Sequence, residues 1–263
     1  AGAASVFLDT GESLSGALLV GCDGRESQTA ARAGIGRGGW SYRQTSLVCA
    51  VEHEAPHHGV AHQFFMPAGP LAILPLPGNR SSIVWTETAA RAAAIGALSP
   101  EAYLAELRPR FGDFLGEIAL AGGRYSYPLA LSLASDLVAP RLALAGDAAH
   151  GLHPLAGQGL NLGLRDVAAL GEVVVTAHRR GLDIGAAYVL ADYRRWRRID
   201  IALLAAATDG LNRLFSNDNP ALRLGRDLGL GLVNRVPGLR RALIREAAGL
   251  TGDLPSLLRG QSL

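Results

Sequence analysis

Lysine is absent from this chain of 263 residues: all 25 of its basic residues are arginine. Beside the abundant alanine this is a compositional bias, and no function is read from it. Cysteine is nearly absent too. Cys22 and Cys49 stand without CxxC or metal-ligand spacing, which excludes a disulfide framework and leaves two small residues expected to be buried. No uninterrupted apolar run reaches the roughly 20 residues of a membrane span. No leader-like segment opens the chain either, so a cytoplasmic setting is the default and peripheral contact with a membrane stays open. No recognition motif with interleaved aromatics accompanies the arginines, which sets nucleic acid aside.

What is present is an apolar chain with uneven charge. Hydrophobic residues make up 49%, enough core for one large domain or two smaller ones. The net charge of +2 hides a division: 11 arginines face 15 acids up to residue 178, and 14 face 8 beyond it. The basic C-terminal third reads either as a solvated helical face or as a surface for anionic lipid or an acidic partner. Its densest run, Arg194, Arg195, Arg197 and Arg198, lies on a helix whose Tyr193, Trp196, Ile199 and Leu203 are expected to face the protein.

The most informative stretch is Arg141 to Asp166. Leu142 to Ala145 read as a short buried strand that ends in Gly146-Asp147, so an acidic side chain is delivered at a strand end. Pro154, Gly157 and Gly159 follow closely, and Gly157-Gln158-Gly159 leaves main-chain N–H groups with little side chain before them. Leu160, Leu162, Leu164, Val167, Ala168 and Leu170 then recur at largely helical spacing, which puts the glycines at a helix N-terminus favourable to negative charge. The plain alternative is a glycine-rich connection before a core helix.

This run, GDAAHGLHPLAGQGLNLGLRD, resembles the FAD-dependent aromatic monooxygenases of the para-hydroxybenzoate hydroxylase fold, and most nearly their ubiquinone-biosynthesis branch. The resemblance implies that Gly146-Asp147 binds the ribityl chain of FAD and that Pro154, Gly157, Gln158, Gly159, Leu160 and Asn161 lie along the isoalloxazine ring. Asp23-Gly24, with Ser27 and Arg32, matches the family's Asp-Gly motif, near the pyrophosphate and the approach of the nicotinamide cofactor; Cys22 stands where the family commonly has alanine. The implied fold is α/β: a partial Rossmann-like FAD-binding domain, an antiparallel-sheet substrate domain of α+β character, and C-terminal helices. The expected parts are residues 1–42 and 139–180 for FAD, 43–138 for substrate and 181–263 for the helices.

Local patterns fill in the rest. Residues 5–9 and 17–22 read as strands joined by a turn-rich TGESLSG segment. The glycine cluster at 34–39 is a loop, because it lacks the preceding strand and following helix of a dinucleotide fingerprint. Residues 43–53, 61–66, 70–76 and 80–86 suggest antiparallel strands, on which Phe64, Phe65, Leu74 and Leu76 either line an apolar chamber or form ordinary core. His53, His57, His58 and His62 fit no standard metal site, and no metal is expected. Ser99-Pro100-Glu101 starts a helix that Pro109 should end or kink, residues 124–131 look extended, and residues 160–180, 187–216 and 220–248 look helical, the last interrupted by Pro237.

The resemblance implies hydroxylation of a polyprenylated phenol in ubiquinone biosynthesis. NAD(P)H or another donor reduces the flavin, O2 adds at C4a, and the hydroperoxide oxygenates the ring, so the flavin carries the chemistry and no side-chain catalyst is required. His150 and His153 are expected to make structural hydrogen bonds. A hydroxylase of a small soluble aromatic acid is the alternative. The family's first unit, a βαβ carrying GxGxxG, has no counterpart here, which leaves open a fragment, a lineage binding FAD differently, or a flavin-free binding subunit of a membrane-associated assembly.

Overall fold

In the computed structural model, which describes residues 2–216, 219, 231, 235–247, 249 and 251–263, the chain gathers into two units. The first comprises Ala1–Trp40, Leu131–Asp209 and Val233–Leu263, and the second Ser41–Ala130 and Gly210–Leu232.

The first unit opens with a hairpin of β1 (Ala4–Phe7) and β2 (Ser13–Gly16), paired from Ala4↔Gly16 to Phe7↔Ser13. The segment expected to be only turn therefore supplies a strand. Its Ser-Leu-Ser alternation lacks β-branched residues, and it is held by cross-strand pairs such as Ser5 Oγ to Ser15 Oγ at 2.8 Å. β3 (Leu19–Gly21) runs parallel to β11 (Leu142–Leu144), and β10 (Val138–Ala139) adds an antiparallel edge to β11. α1 (Gln28–Arg32) follows β3, with Ser27 as N-cap accepting from the Ala30 amide at 2.9 Å. β4 (Arg37–His53) begins inside the expected glycine loop, because Gly39, at φ 149°, lets the strand approach the Leu131 carbonyl, where a Cβ would sit 2.0 Å from its oxygen.

α4 (Gln158–Arg179) and α5 (Ala187–Phe215) occupy the expected helical stretches. Their buried faces differ from the expected ones. On α4, Leu162, Ala168 and Leu170 are buried while Leu160, Leu164 and Val167 are exposed, because apolar residues lie on both sides of the helix. On α5, Tyr193 and Arg197 are fully buried, whereas Ile199 and Leu203 are exposed. Trp196 is half-buried and donates from Nε1 to the Asp253 carbonyl at 2.8 Å. The expectation for 220–248 falls largely outside the described residues; within them, Pro237 opens α6 (Pro237–Ala247) instead of interrupting a helix, since a first-turn proline lacks only an N–H the helix does not use.

The second unit is a sheet with helices on one face. β4 pairs with β7 (Arg80–Thr88), β7 with β6 (Gly69–Leu76), and β6 with β5 (His62–Met66), all antiparallel, while β8 (Ile118–Leu120) also pairs with β4. β9 (Tyr125–Ala134) lies on the other side of β4. α2 (Ala89–Gly96) and α3 (Pro100–Phe111) pack on Leu47, Val51, Leu71, Ile73, Ile83 and Trp85 through Ile95, Tyr103, Leu107 and Phe111. α2 escaped sequence reading because its alanines favour helix without marking an apolar stripe. Pro109 does not end α3: the helix runs on to Phe111 and stops at Gly112, at φ 82°.

Candidate functional site

The site grows from two strand ends. Because β3 and β11 are parallel and in register from Leu19↔Leu142 to Gly21↔Leu144, the segments leaving them emerge side by side, locked by the Ala145 amide on the Gly21 carbonyl at 3.0 Å. Asp23-Gly24 and Gly146-Asp147 thus leave the carboxyl ends of neighbouring strands, where parallel sheets place their ligands. Glycine is needed at both turns, with φ 86° at Gly24 and 62° at Gly146.

Each aspartate has a distinct task. Asp23 accepts from the Ser27 hydroxyl at 2.5 Å and the Thr29 amide at 2.9 Å, so it shapes the turn into α1. Burial alone would raise its pKa, but these hydrogen bonds together hold it down at about 2. Asp147 receives Arg25 Nε at 2.9 Å, with both side chains 39% exposed. Arg25 carries no motif signature in the sequence, and Arg32, the arginine of the expected Asp-Gly motif, sits exposed in the last turn of α1. Arg37 lies behind the loop: it donates to the Asp147 carbonyl at 3.1 Å, to the Ala148 carbonyl and to the Ser132 hydroxyl at 2.8 Å.

Beneath the loop lies a buried ionic cluster. Asp166, the last residue of the motif, has no exposed surface and accepts from the Gly146 amide at 2.9 Å, His150 Nε2 at 2.5 Å and Arg197 Nε at 2.7 Å. Arg197 also reaches Asp200 at 2.6 Å, and Arg165 reaches the same carboxylate at 3.2 Å. His150 thus orients the loop. His153 Nδ1 accepts from the Leu155 amide at 3.2 Å; burial first, and then Arg25, lowers its pKa to about 4, which keeps it neutral.

Pro154 precedes a single 3-10 turn, Leu155–Gly157, which leads into α4 through Gly157 at φ 64°. Among the described residues the N-cap of α4 makes no side-chain cap and no acid lies in its first turn, an end whose field favours an electron-rich group. Gly157, Leu160 and Asn161 are exposed, and Gln158 and Gly159 half-buried. A Cβ added at Gly146, Gly157 or Gly159 would meet nothing within 4 Å among the described residues, so these backbones face open space there.

The apolar candidates on the sheet divide. Phe65 pairs with Pro70, so it shares a face with Leu74 and Leu76, whereas Phe64 pairs with Leu71 and belongs to the helix-covered face. The four therefore cannot line one chamber. Phe65 packs on Phe215 with ring centroids 4.2 Å apart, and Asn212 donates to Gln44 at 3.0 Å on that same face. Among the histidines, His53 bonds the Ala55 carbonyl and the Ser81 hydroxyl, His57 bonds the Leu76 carbonyl, and His62 packs on Phe114.

Residues 3–187 match the family model described as FAD binding domain. The chain belongs to this FAD-binding monooxygenase family. It is 51% identical over 262 residues to ubiquinone hydroxylase UbiL of Rhodospirillum rubrum, covering 98% of this chain and 61% of that protein. It is 39% identical over 244 residues to 3-demethoxyubiquinol 3-hydroxylase of Escherichia coli, covering 92% and 62%. Its fold matches the Diels-Alderase PyrE3 of pyrroindomycin biosynthesis with a TM-score of 0.76 at 23% identity, over 97% of this chain and 55% of that one. The chain thus spans about three-fifths of the length of these two relatives.

Proposed function

We propose that this chain contributes the ribityl and flavin-ring side of an FAD site in a hydroxylase of polyprenylated phenols of the ubiquinone-biosynthesis type. The observation that carries the reading is Gly159. It lies in the first turn of α4, with no positive φ and no neighbour that a side chain would strike. Glycine there costs a helix roughly 0.5–1 kcal/mol relative to alanine, and nothing among the described residues requires it. Close approach of a flat ligand does. The donor set fits FAD: the Asp147 carboxylate accepts from hydroxyls such as those of the ribityl chain, and the amides at the start of α4 donate to carbonyl oxygens and ring nitrogens. Asp23, Gly24 and Arg25 shape the adjoining wall, and Pro154, Gln158, Leu160 and Asn161 edge the ring.

When bound, FAD would supply the redox chemistry, with NAD(P)H or another donor as reductant and O2 as oxidant. The residues of this chain hold the cofactor, stabilise charge on the ring through the α4 amides, and offer Phe65, Leu74 and Leu76 to an apolar substrate. On α5, Arg198 rims the exposed Ile199 and Leu203 together with Arg194 and Arg195, which are ion-paired to Asp136 and Asp192, and this mixed surface is suited to peripheral contact with the membrane in which a polyprenylated substrate resides. No helix among the described residues is long and apolar enough to cross a membrane.

The test is an FAD titration followed by visible spectroscopy. Saturable binding is expected, with Asp147→Asn and Gly159→Ala both weaker than wild type while Gly159→Ala melts at a higher temperature without FAD. Failure to bind at saturating FAD, or a Gly159→Ala variant that binds normally, overturns the reading. Substrate class follows from oxygen uptake: stimulation by a prenylated phenol in anionic vesicles supports it, and stimulation by 4-hydroxybenzoate alone assigns a soluble aromatic acid instead.

A further inference from the structure

We propose that the cleft between α2 and the start of β9 binds a small carboxylate with an apolar body. The cleft encloses about 370 Å³ and lies wholly within the second unit, lined by residues that include Thr45, Leu47, Ala92, Gly96, Tyr103 and Arg124. It exists because the bordering face of α2 is built from Ala89, Ala92, Ala93 and Gly96, too small to close the distance to Tyr125, Ser126 and Pro128. Thr45 and Leu47 of β4 also line it.

Arg124 decides what the cleft takes. Its guanidinium lies 4.9 Å from the centre of the Tyr103 ring, and Nη2 donates to the Leu98 carbonyl at 2.9 Å. Nη1 is buried and has no acceptor among the described residues. A buried guanidinium N–H without an acceptor is costly, and a ligand oxygen would relieve that cost. No carboxylate of the described residues forms an ion pair with Arg124. Glu101 is fully exposed, and its carboxyl is lowered below the usual range chiefly by its own backbone amide and by Ser99, with Arg124 a lesser influence. Tyr103 donates its hydroxyl to Cys49 Sγ at 3.8 Å, and burial pushes both groups up, so neither supplies negative charge. The lining mixes apolar side chains such as Leu47, Ala92 and Pro128 with the polar Thr45 and Ser126, and its one cation matches a monoanion with an apolar body; a dianion would leave surplus charge in the cleft. The size falls in the range of small-molecule sites.

Calorimetric titration of the whole chain with benzoate, benzamide and acetate tests this. Benzoate should bind saturably, and benzamide and acetate at least about tenfold more weakly, the first for want of charge and the second for want of an apolar body. Arg124→Gln should weaken benzoate by a similar factor, and so should Ala93→Leu, which fills the cleft and keeps the arginine. Both variants should bind FAD as wild type does, which separates this site from the flavin reading. No benzoate binding up to about 10 mM, or benzoate affinity unchanged in Ala93→Leu, overturns the proposal; Ala93→Leu decides alone if Arg124→Gln does not fold.

Discussion

Asp166 is the residue whose loss should be felt most. It is wholly buried and answers three donors at once: the Gly146 amide, His150 and Arg197. Removing one partner of a buried ion pair costs about 3–5 kcal/mol, because the remaining charge is stranded. In Asp166→Asn the volume is kept and one oxygen can still serve the Gly146 amide, so the loss isolates charge from packing. Arg197 would retain only Asp200. Against the 5–15 kcal/mol that holds an ordinary domain together, Asp166→Asn should lower Tm by roughly 6–20 °C, taking about 2–4 °C per kcal/mol for a chain of this size. Calorimetry on Asp166→Asn, Arg197→Met and the double variant gives the coupling directly. The double variant should regain much of the loss, since Arg197→Met removes the cation that Asp166→Asn strands. Asp166→Asn within about 0.5 kcal/mol of wild type, or single losses that simply add, would refute the account.

Two further outcomes follow from the geometry. His153 has its pKa lowered from 6.5 to about 4 by burial, so the unfolded chain takes up its proton first; this contribution is whole above pH 6.5 and is lost as pH falls toward 4, by roughly 3 kcal/mol at about 1.4 kcal/mol per pKa unit. Asp23, at about 2 when folded against 3.8, adds a second loss as pH falls below 3.8. Urea titrations across pH 3–7 should show His153→Asn flattening the upper limb only, and an unchanged slope there would count against a buried neutral imidazole. Gly39→Ala should destabilise strongly, since its Cβ would lie 2.0 Å from the Leu131 oxygen at φ 149°, while Gly38→Ala, with nothing within 4 Å, should be tolerated. Equal melting temperatures for the two would show that the strands do not approach as described.

What could be read from the sequence was local. The buried run Leu142 to Leu144 closed by Gly146, the cap at Ser99-Pro100 and the strands bounded by PAG and PGN turns all carry their evidence within a few residues. The unread features depend on partners far away in the chain. Arg25 meets Asp147 across 122 residues and Arg37 meets the carbonyl of Asp147 across 110, and an arginine carries no local mark of its acceptor. The same holds for α5. Periodicity treats Arg197 as solvent-facing and Ile199 as core, yet Arg197 is buried because Asp166 waits for it, and the helix must then turn Ile199 outward.

The charged groups of the first unit are placed behind the candidate site more than within it. Arg37 binds two consecutive carbonyls, those of Asp147 and Ala148, while Asp166 holds the amide of Gly146. The loop's peptides are therefore oriented from behind before any ligand arrives, and Arg25 holds the Asp147 carboxylate. A loop with positive φ at Gly146 would otherwise sample many conformations, each lost again on binding. The cost of ordering is met on folding, by the half-buried Arg37 and the buried Asp166 behind the loop. This explains why the motif extends as far as Asp166, twenty residues past the glycine it restrains.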